Sequence, residues 1–231
     1  VHIFYLHGFA SSAQSSKARF LAERLAPFGL TLQSPDFNEP DFATLTVTRM
    51  LDQVDAAVAP LPPGPVVLIG SSLGAFVAWH AAARRARRTD DEARVHPVSR
   101  LILLAPALEF GANSRVRDLG EDGLARWKAT DRLEVFHYAY NEPRIVHYAL
   151  HEDARQYDSR RAVVEAPALV FQGRRDSVVD PVMVEQFVAE HPSMTLRLLD
   201  DEHQLSDSLD AIWTGTARFL GLPLPLPPPG A

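Results

Sequence analysis

The chain reads as an α/β protein built on one mostly parallel sheet of about six strands, in the order 2-1-3-4-5-6, with helices on both faces. Three observations predict this. Short apolar runs alternate with longer stretches of helical period. The runs Val66-Val67-Leu68-Ile69 and Leu101-Ile102-Leu103-Leu104 are apolar at every position, as strands covered on both faces are. A length of 231 residues, 46% hydrophobic and 23% charged, suits one substantial core without division into domains.

Taken in order, strands are expected over roughly residues 1–6, 30–34, 66–70, 100–104, 168–172 and 195–199. After the first strand, a helix should begin near Ser15 or Ser16, either of which can cap it. Leu21, Leu25 and Phe28 recur at helical spacing, as do Val47, Leu51, Val54 and Val58, so each helix has one buried stripe. By contrast, Ala75-Phe76-Val77-Ala78-Trp79 followed by Ala81-Ala82-Ala83 is apolar on every side, which predicts the central and most buried helix. Residues 111–160 break the alternation with Gly111, Gly120, Gly123 and Pro143 and read as an inserted lid or cap. Most of its aromatic residues, Trp127, Phe136, Tyr138, Tyr140 and Tyr148, are expected to pack inside it rather than line an acyl or aryl pocket. The Pro-rich tail, 223–231, suits an extended polyproline conformation draped on the surface.

A formal net charge of −6 argues against nucleic acid as a main partner, because phosphate binding draws on clustered Lys and Arg. The one basic cluster, Arg84, Arg85, Arg87 and Arg88, ends a helix, where cations complement the dipole; a solvated terminus is expected. Without cysteine there is no disulfide, no thiolate nucleophile and no cysteine-ligated zinc. Val1-His2-Ile3-Phe4-Tyr5-Leu6 is too short for a signal peptide, and no apolar run approaches membrane-spanning length. A cytoplasmic protein without a membrane partner is the expectation.

The motif that carries chemistry is Gly70-Ser71-Ser72-Leu73-Gly74, a G-x-S-x-G match between a buried strand and a helix. Ser72 holds the central position. Such a turn is sharp enough to strain the nucleophile's backbone, and glycines two residues to either side remove the β-carbons that would collide. A plain glycine-rich turn is the bland alternative, and a phosphate loop is disfavoured because no G-x-x-x-x-G-K-[ST] pattern is present.

The first strand runs into His7-Gly8-Phe9-Ala10-Ser11-Ser12. Here the Phe9 backbone N–H is expected to pair with that of Leu73 as an oxyanion hole, while His7 anchors the loop. The stated strand order would bring this loop beside Ser72, where the order reverses.

A nucleophilic serine needs a base and an acid that orients it, in the chain order Ser, Asp or Glu, His. After the fifth strand come Asp176 and Asp180. Asp180 precedes Pro181 and is explained as a helix N-cap, so Asp176 is the candidate acid. His203, in Asp200-Asp201-Glu202-His203-Gln204-Leu205 after the sixth strand, is the candidate base, and His80 is expected to pack within the central helix. His147 and His151, four apart, would share a helical face, but no Glu follows His147 as H-E-x-x-H requires. No metal site and no cofactor are predicted.

Taken together, these motifs resemble the α/β-hydrolase superfamily over essentially the whole chain outside the insertion and tail. Tyr5-Leu6-His7-Gly8-Phe9-Ala10-Ser11-Ser12, with Ser16-Lys17-Ala18 and the Ser72 motif, is similar to the YqiA-like small bacterial esterases. That resemblance implies a compact cytoplasmic hydrolase of carboxylic esters or acyl thioesters. It carries the roles of nucleophile, acid and base to Ser72, Asp176 and His203, and the oxyanion donors to Phe9 and Leu73. Departures are Ala75 in place of a glycine often found after the elbow, Glu202 where such esterases often have Asn, and a more elaborate segment 111–160. The same triad would serve an acyltransferase or a C–C bond hydrolase, and the fold can also be a non-catalytic small-molecule scaffold. Oligomeric state is open.

Overall fold

A computed structural model describes residues 1–113 and 116–223, so the Pro-rich stretch anticipated at 223–231 lies outside the described residues beyond Pro223. β1 (His2–Leu6) leads to α1 (Ser16–Leu25), β2 (Leu32–Gln33), α2 (Val47–Val58), β3 (Val66–Ser71), α3 (Leu73–Ala86), α4 (Asp91–Val95) and β4 (Val98–Leu104). Then follow α5 (Phe110–Asn113), α6 (Val116–Thr130), β5 (Leu133–His137), β6 (Glu142–Val146) and α7 (Ala149–Ala154). β7 (Ala168–Gly173), α8 (Pro181–Ala189), β8 (Met194–Leu199) and α9 (Leu209–Leu220) complete the described elements.

β2, β1, β3, β4, β7 and β8 form one six-stranded sheet in that spatial order, every neighbouring pair parallel. All six strands read from the sequence enter it, although β2 spans only two residues. The expected order 2-1-3-4-5-6 is corrected to 2-1-3-4-7-8. The cause is the antiparallel hairpin β5–β6, which comes between β4 and β7 in the chain but hydrogen-bonds as a sheet of its own.

Alternate residues of each strand feed two cores, one per face, which explains the continuously apolar runs. Phe4, Leu6, Leu68, Leu101, Leu103 and Val170 pack with α2, α3 and α8. Ile3, Tyr5, Val67, Ile69, Ile102 and Phe171 face the other way, against α1 and α9. α3 is the buried central helix its composition predicts, with Leu73 through Ala83 all buried. Side-chain caps start the helices where the sequence offers them: Ser15 accepts from the Ala18 N–H, Thr46 from Arg49 and Asp180 from Val182.

Two expectations about charged and aromatic residues change. The basic end of α3 is not simply solvated: Arg85 is buried and pairs with Asp55 of α2 at 2.9 Å, because its helix face packs on α2. Of the five aromatics expected to pack in the 111–160 segment, Trp127 and Tyr148 are buried, while Phe136, Tyr138 and Tyr140 are exposed, standing on a hairpin too thin to cover them. Among the described residues, no helix is long and apolar enough to cross a membrane.

Candidate active site

β3 delivers the chain into the turn at the point where strand order reverses between β1 and β3. Ser72 takes φ 55° and ψ −116°, a left-handed backbone that costs a non-glycine residue roughly 1–3 kcal/mol. Surrounding bonds hold it there: the Ser72 N–H donates to Leu104 O at 2.9 Å, and its carbonyl accepts from Ala75, Phe76 and Ala107. The flanking glycines are steric necessities. A Cβ on Gly74 would lie 1.9 Å from Leu6 O, and one on Gly70 would lie 2.4 Å from Gly74 O. Ser71, the other hydroxyl of the motif, is buried at the end of β3 and turns toward the Tyr5 hydroxyl.

Three segments distant in sequence meet at this turn. The Ser72 hydroxyl donates to His203 Nε2 at 3.1 Å, and His203 Nδ1–H donates to Asp176 Oδ2 at 2.9 Å. The carboxylate dictates that tautomer, since only a protonated Nδ1 can face it favourably. Asp176 is buried, and its other oxygen accepts from the Val178 and Val179 N–H groups, both at 2.8 Å. Burial pushes its carboxyl up, but the bond and charge of His203 and those two N–H groups outweigh it, leaving the pKa below the ordinary carboxylate value. Asp180 does what its place before Pro181 predicts and caps α8.

The His203 loop is built from its own backbone. Asp201 Oδ1 accepts from the Glu202 N–H at 2.7 Å and Oδ2 from Asp207 at 3.0 Å. It also presses on the loop carrying Asp176, because a Cβ on Gly173 would lie 2.5 Å from Asp201 O.

The loop after β1 runs directly beneath the Ser72 turn. A Cβ on Gly8 would lie 3.2 Å from Ser71 O and 3.4 Å from Ser72 Cβ, so Phe9 follows the closest approach of the two segments. Leu73 opens α3, where a backbone N–H has no intrahelical acceptor. His7 anchors this loop, its Nδ1–H donating to Gly8 O and its Nε2 accepting from the Phe37 N–H, each at 2.9 Å.

Several participants were missed from the sequence. Gln172, the last side chain of β7 before Gly173, donates from Nε2 to Asp176 Oδ2 at 2.9 Å; the only signal was a polar residue closing a buried strand. Asn38 donates to Ser11 O at 2.9 Å and accepts from His137 Nε2–H at 3.0 Å, and the Tyr138 N–H donates to Ala10 O at 3.0 Å. The hairpin is thereby tied to the loop carrying Phe9, a link with no local motif. The shared helical face expected for His147 and His151 does not form, since α7 starts at Ala149 and His147 turns to Asp131. Among the described residues, no three or more His, Cys, Asp or Glu side chains converge as a metal site.

A candidate hydrolase from Agrobacterium vitis S4 superposes with a TM-score of 0.83 at 23% identity, covering 94% of this chain and 87% of that one. Est1E from Butyrivibrio proteoclasticus, solved with ferulic acid bound, gives 0.77 at 18% identity, with coverages of 94% and 87%. Mouse alpha/beta hydrolase domain-containing protein 10 gives 0.75 at 19% identity, with coverages of 95% and 89%. The fold is thus the α/β-hydrolase fold. A comparison with curated proteins finds no match. A family model spans residues 2–217, and the chain belongs to the family it describes, the uncharacterised protein family UPF0227, which is YqiA-like.

Proposed function

We propose that this protein is a serine hydrolase that cleaves carboxylic esters or acyl thioesters through an acyl-enzyme. The observation that carries the reading is the unbroken hydrogen-bond relay from Ser72 Oγ through the His203 ring to Asp176. His203 Nε2 takes the hydroxyl proton as Ser72 Oγ attacks the carbonyl carbon, and Asp176 stabilises the imidazolium so formed. The N–H groups of Phe9 and Leu73, the second at the positive end of α3, receive the negative charge that develops on the carbonyl oxygen. The tetrahedral intermediate then collapses, and His203 passes its proton to the departing alkoxide or thiolate. Water repeats the sequence on the acyl-enzyme: His203 removes its proton, the carbonyl is attacked, and Ser72 leaves reprotonated with the free acid as product.

Residues 111–160 serve in this reading as the cover that shapes the substrate side. Support comes from the Tyr138 to Ala10 bond and from the exposed Phe136 and Tyr138 rings, edge to face with centroids 5.4 Å apart. Such a pair on the hairpin tied to the Phe9 loop favours an apolar or aryl group on the substrate, the kind of acid bound in the Est1E structure. The test is a chain-length series of p-nitrophenyl esters, hydroxycinnamate esters and acyl-CoA thioesters against wild type and Ser72→Ala. Turnover of at least one class that falls by about 10⁴-fold or more in the variant is expected. Equal turnover by the two proteins would remove the proposal.

A further inference from the structure

Lys17 stands in the first turn of α1, where the helix dipole disfavours a cation. It is also buried, with 8% of its surface exposed. An ammonium withdrawn from water is costly unless its donors are met. Burial accordingly lowers its pKa to about 8, with the charge of Asp201 opposing part of the shift. Charge, place and burial all disfavour lysine here, so what offsets them lies in its contacts. Nζ donates to the backbone carbonyl of Gln204 at 2.7 Å and reaches that residue's side-chain Oε1 at 3.5 Å.

Gln204 directly follows His203, and the position of that peptide decides where the imidazole stands. On one side the loop leans on Gly173 through the Asp201 and Glu202 carbonyls. Ahead of Gln204 the Asp201 carboxylate holds the backbone, and behind it Leu205 is buried at φ 52° with its N–H on Glu202 O at 3.1 Å. The Gln204 carbonyl between these anchors is taken by Lys17, from the helix that follows the Phe9 loop. One side chain therefore couples the segment bearing the oxyanion donor to the segment bearing the base.

We propose that Lys17 is a positioning residue for His203, clamping the Gln204 carbonyl so that the imidazole keeps its bonds to both Ser72 and Asp176. This rests on the reading of Ser72, His203 and Asp176 given above. Misplacement of a catalytic group by about 1 Å costs about 10²-fold in rate, so loss of the clamp belongs between about 10-fold and 100-fold.

The experiment compares wild type, Lys17→Met, Gln204→Ala and Ser72→Ala, using the best substrate of the ester series and a fluorophosphonate probe. Lys17→Met, close in volume and without the buried charge, is expected to keep its Tm within a few degrees. Its kcat and its labelling rate should fall together by about 10- to 100-fold, with KM within about twofold. Gln204→Ala keeps the backbone carbonyl and is expected to stay within about twofold of wild type in kcat. Should Lys17→Met not fold, Lys17→Leu, which likewise has no donor, is expected to lower kcat at unchanged KM. Wild-type kcat in a folded Lys17 variant, or equal damage from Gln204→Ala, would overturn the clamp while leaving an unlabelled Ser72→Ala and the triad intact. Labelling of Ser72→Ala would instead remove the triad reading on which the clamp rests.

Discussion

At the scale of single residues, the site depends on side chains held in costly states. Asp176 is buried yet anionic, and four donors account for it: His203, Gln172, Val178 and Val179. Asp176→Asn would present an amide to Nδ1 and favour the wrong tautomer, so kcat is expected to fall by about 10⁴-fold with the fold retained. The same substitution has a stability signature. A carboxyl whose folded-state pKa is depressed contributes stability above its ordinary value near 4, and that contribution disappears as pH falls through the lower folded-state value. The stability difference between wild type and Asp176→Asn, measured by urea melts, should therefore shrink below about pH 4. His80 loses stability in the same direction, from a different cause. Burial lowers its pKa from 6.5 to about 4, with its Nε2 at 3.1 Å from Ser159 Oγ. Folded protein resists protonating this ring, so stability is fully present above the ordinary histidine value and is lost as pH falls from 6.5 toward 4. His80→Gln is expected to flatten the pH dependence of urea melts in that window, where the wild-type loss amounts to at most about 3 kcal/mol. An unchanged slope would contradict it.

At the scale of elements, legibility followed local periodicity. Ser72 and Asp176 stood out as candidates because each lies just past a continuously apolar strand, His203 because it is the histidine in the loop after β8, and Asp180 could be set aside because Asp-Pro explains itself as a cap. The hairpin could not. β5 alternates Leu133, Val135 and His137 with Glu134 and Phe136, but an exposed Phe136 blurs the period of two. Pro143 reads as a breaker, yet it is tolerated opposite Phe136 in a two-stranded ribbon where both strands are edges. Contacts such as Tyr138 to Ala10 and Asn38 to Ser11 join residues far apart in the chain, for which spacing offers no signal. The segment between β4 and β7 also builds the core. Trp127, Val146, Tyr148, Leu150 and Ala154 enter the same core as α2 and α3, and the Trp127 Nε1–H donates to Val146 O at 3.0 Å. Burial of such side chains is worth roughly 1.5–3 kcal/mol each for the larger ones. Replacing residues 112–160 by a short linker is therefore expected to abolish the cooperative thermal transition rather than to open the site; a deletion protein that still melts cooperatively would show the segment to be dispensable.

At the scale of the whole molecule, the parallel sheet brings the ends of β1, β3, β7 and β8 to one edge, so that Phe9, Ser72, Asp176 and His203 arrive from four separate connections. Strand order, not proximity in sequence, makes the centre. Every step of the proposed mechanism depends on Ser72 as the nucleophile. Intact-mass and peptide-mapping spectrometry after fluorophosphonate treatment tests it most directly. The expected result is one adduct per chain, located on Ser72, slowed in His203→Ala and absent from Ser72→Ala; an adduct on another residue, or stoichiometric labelling of Ser72→Ala, would contradict it.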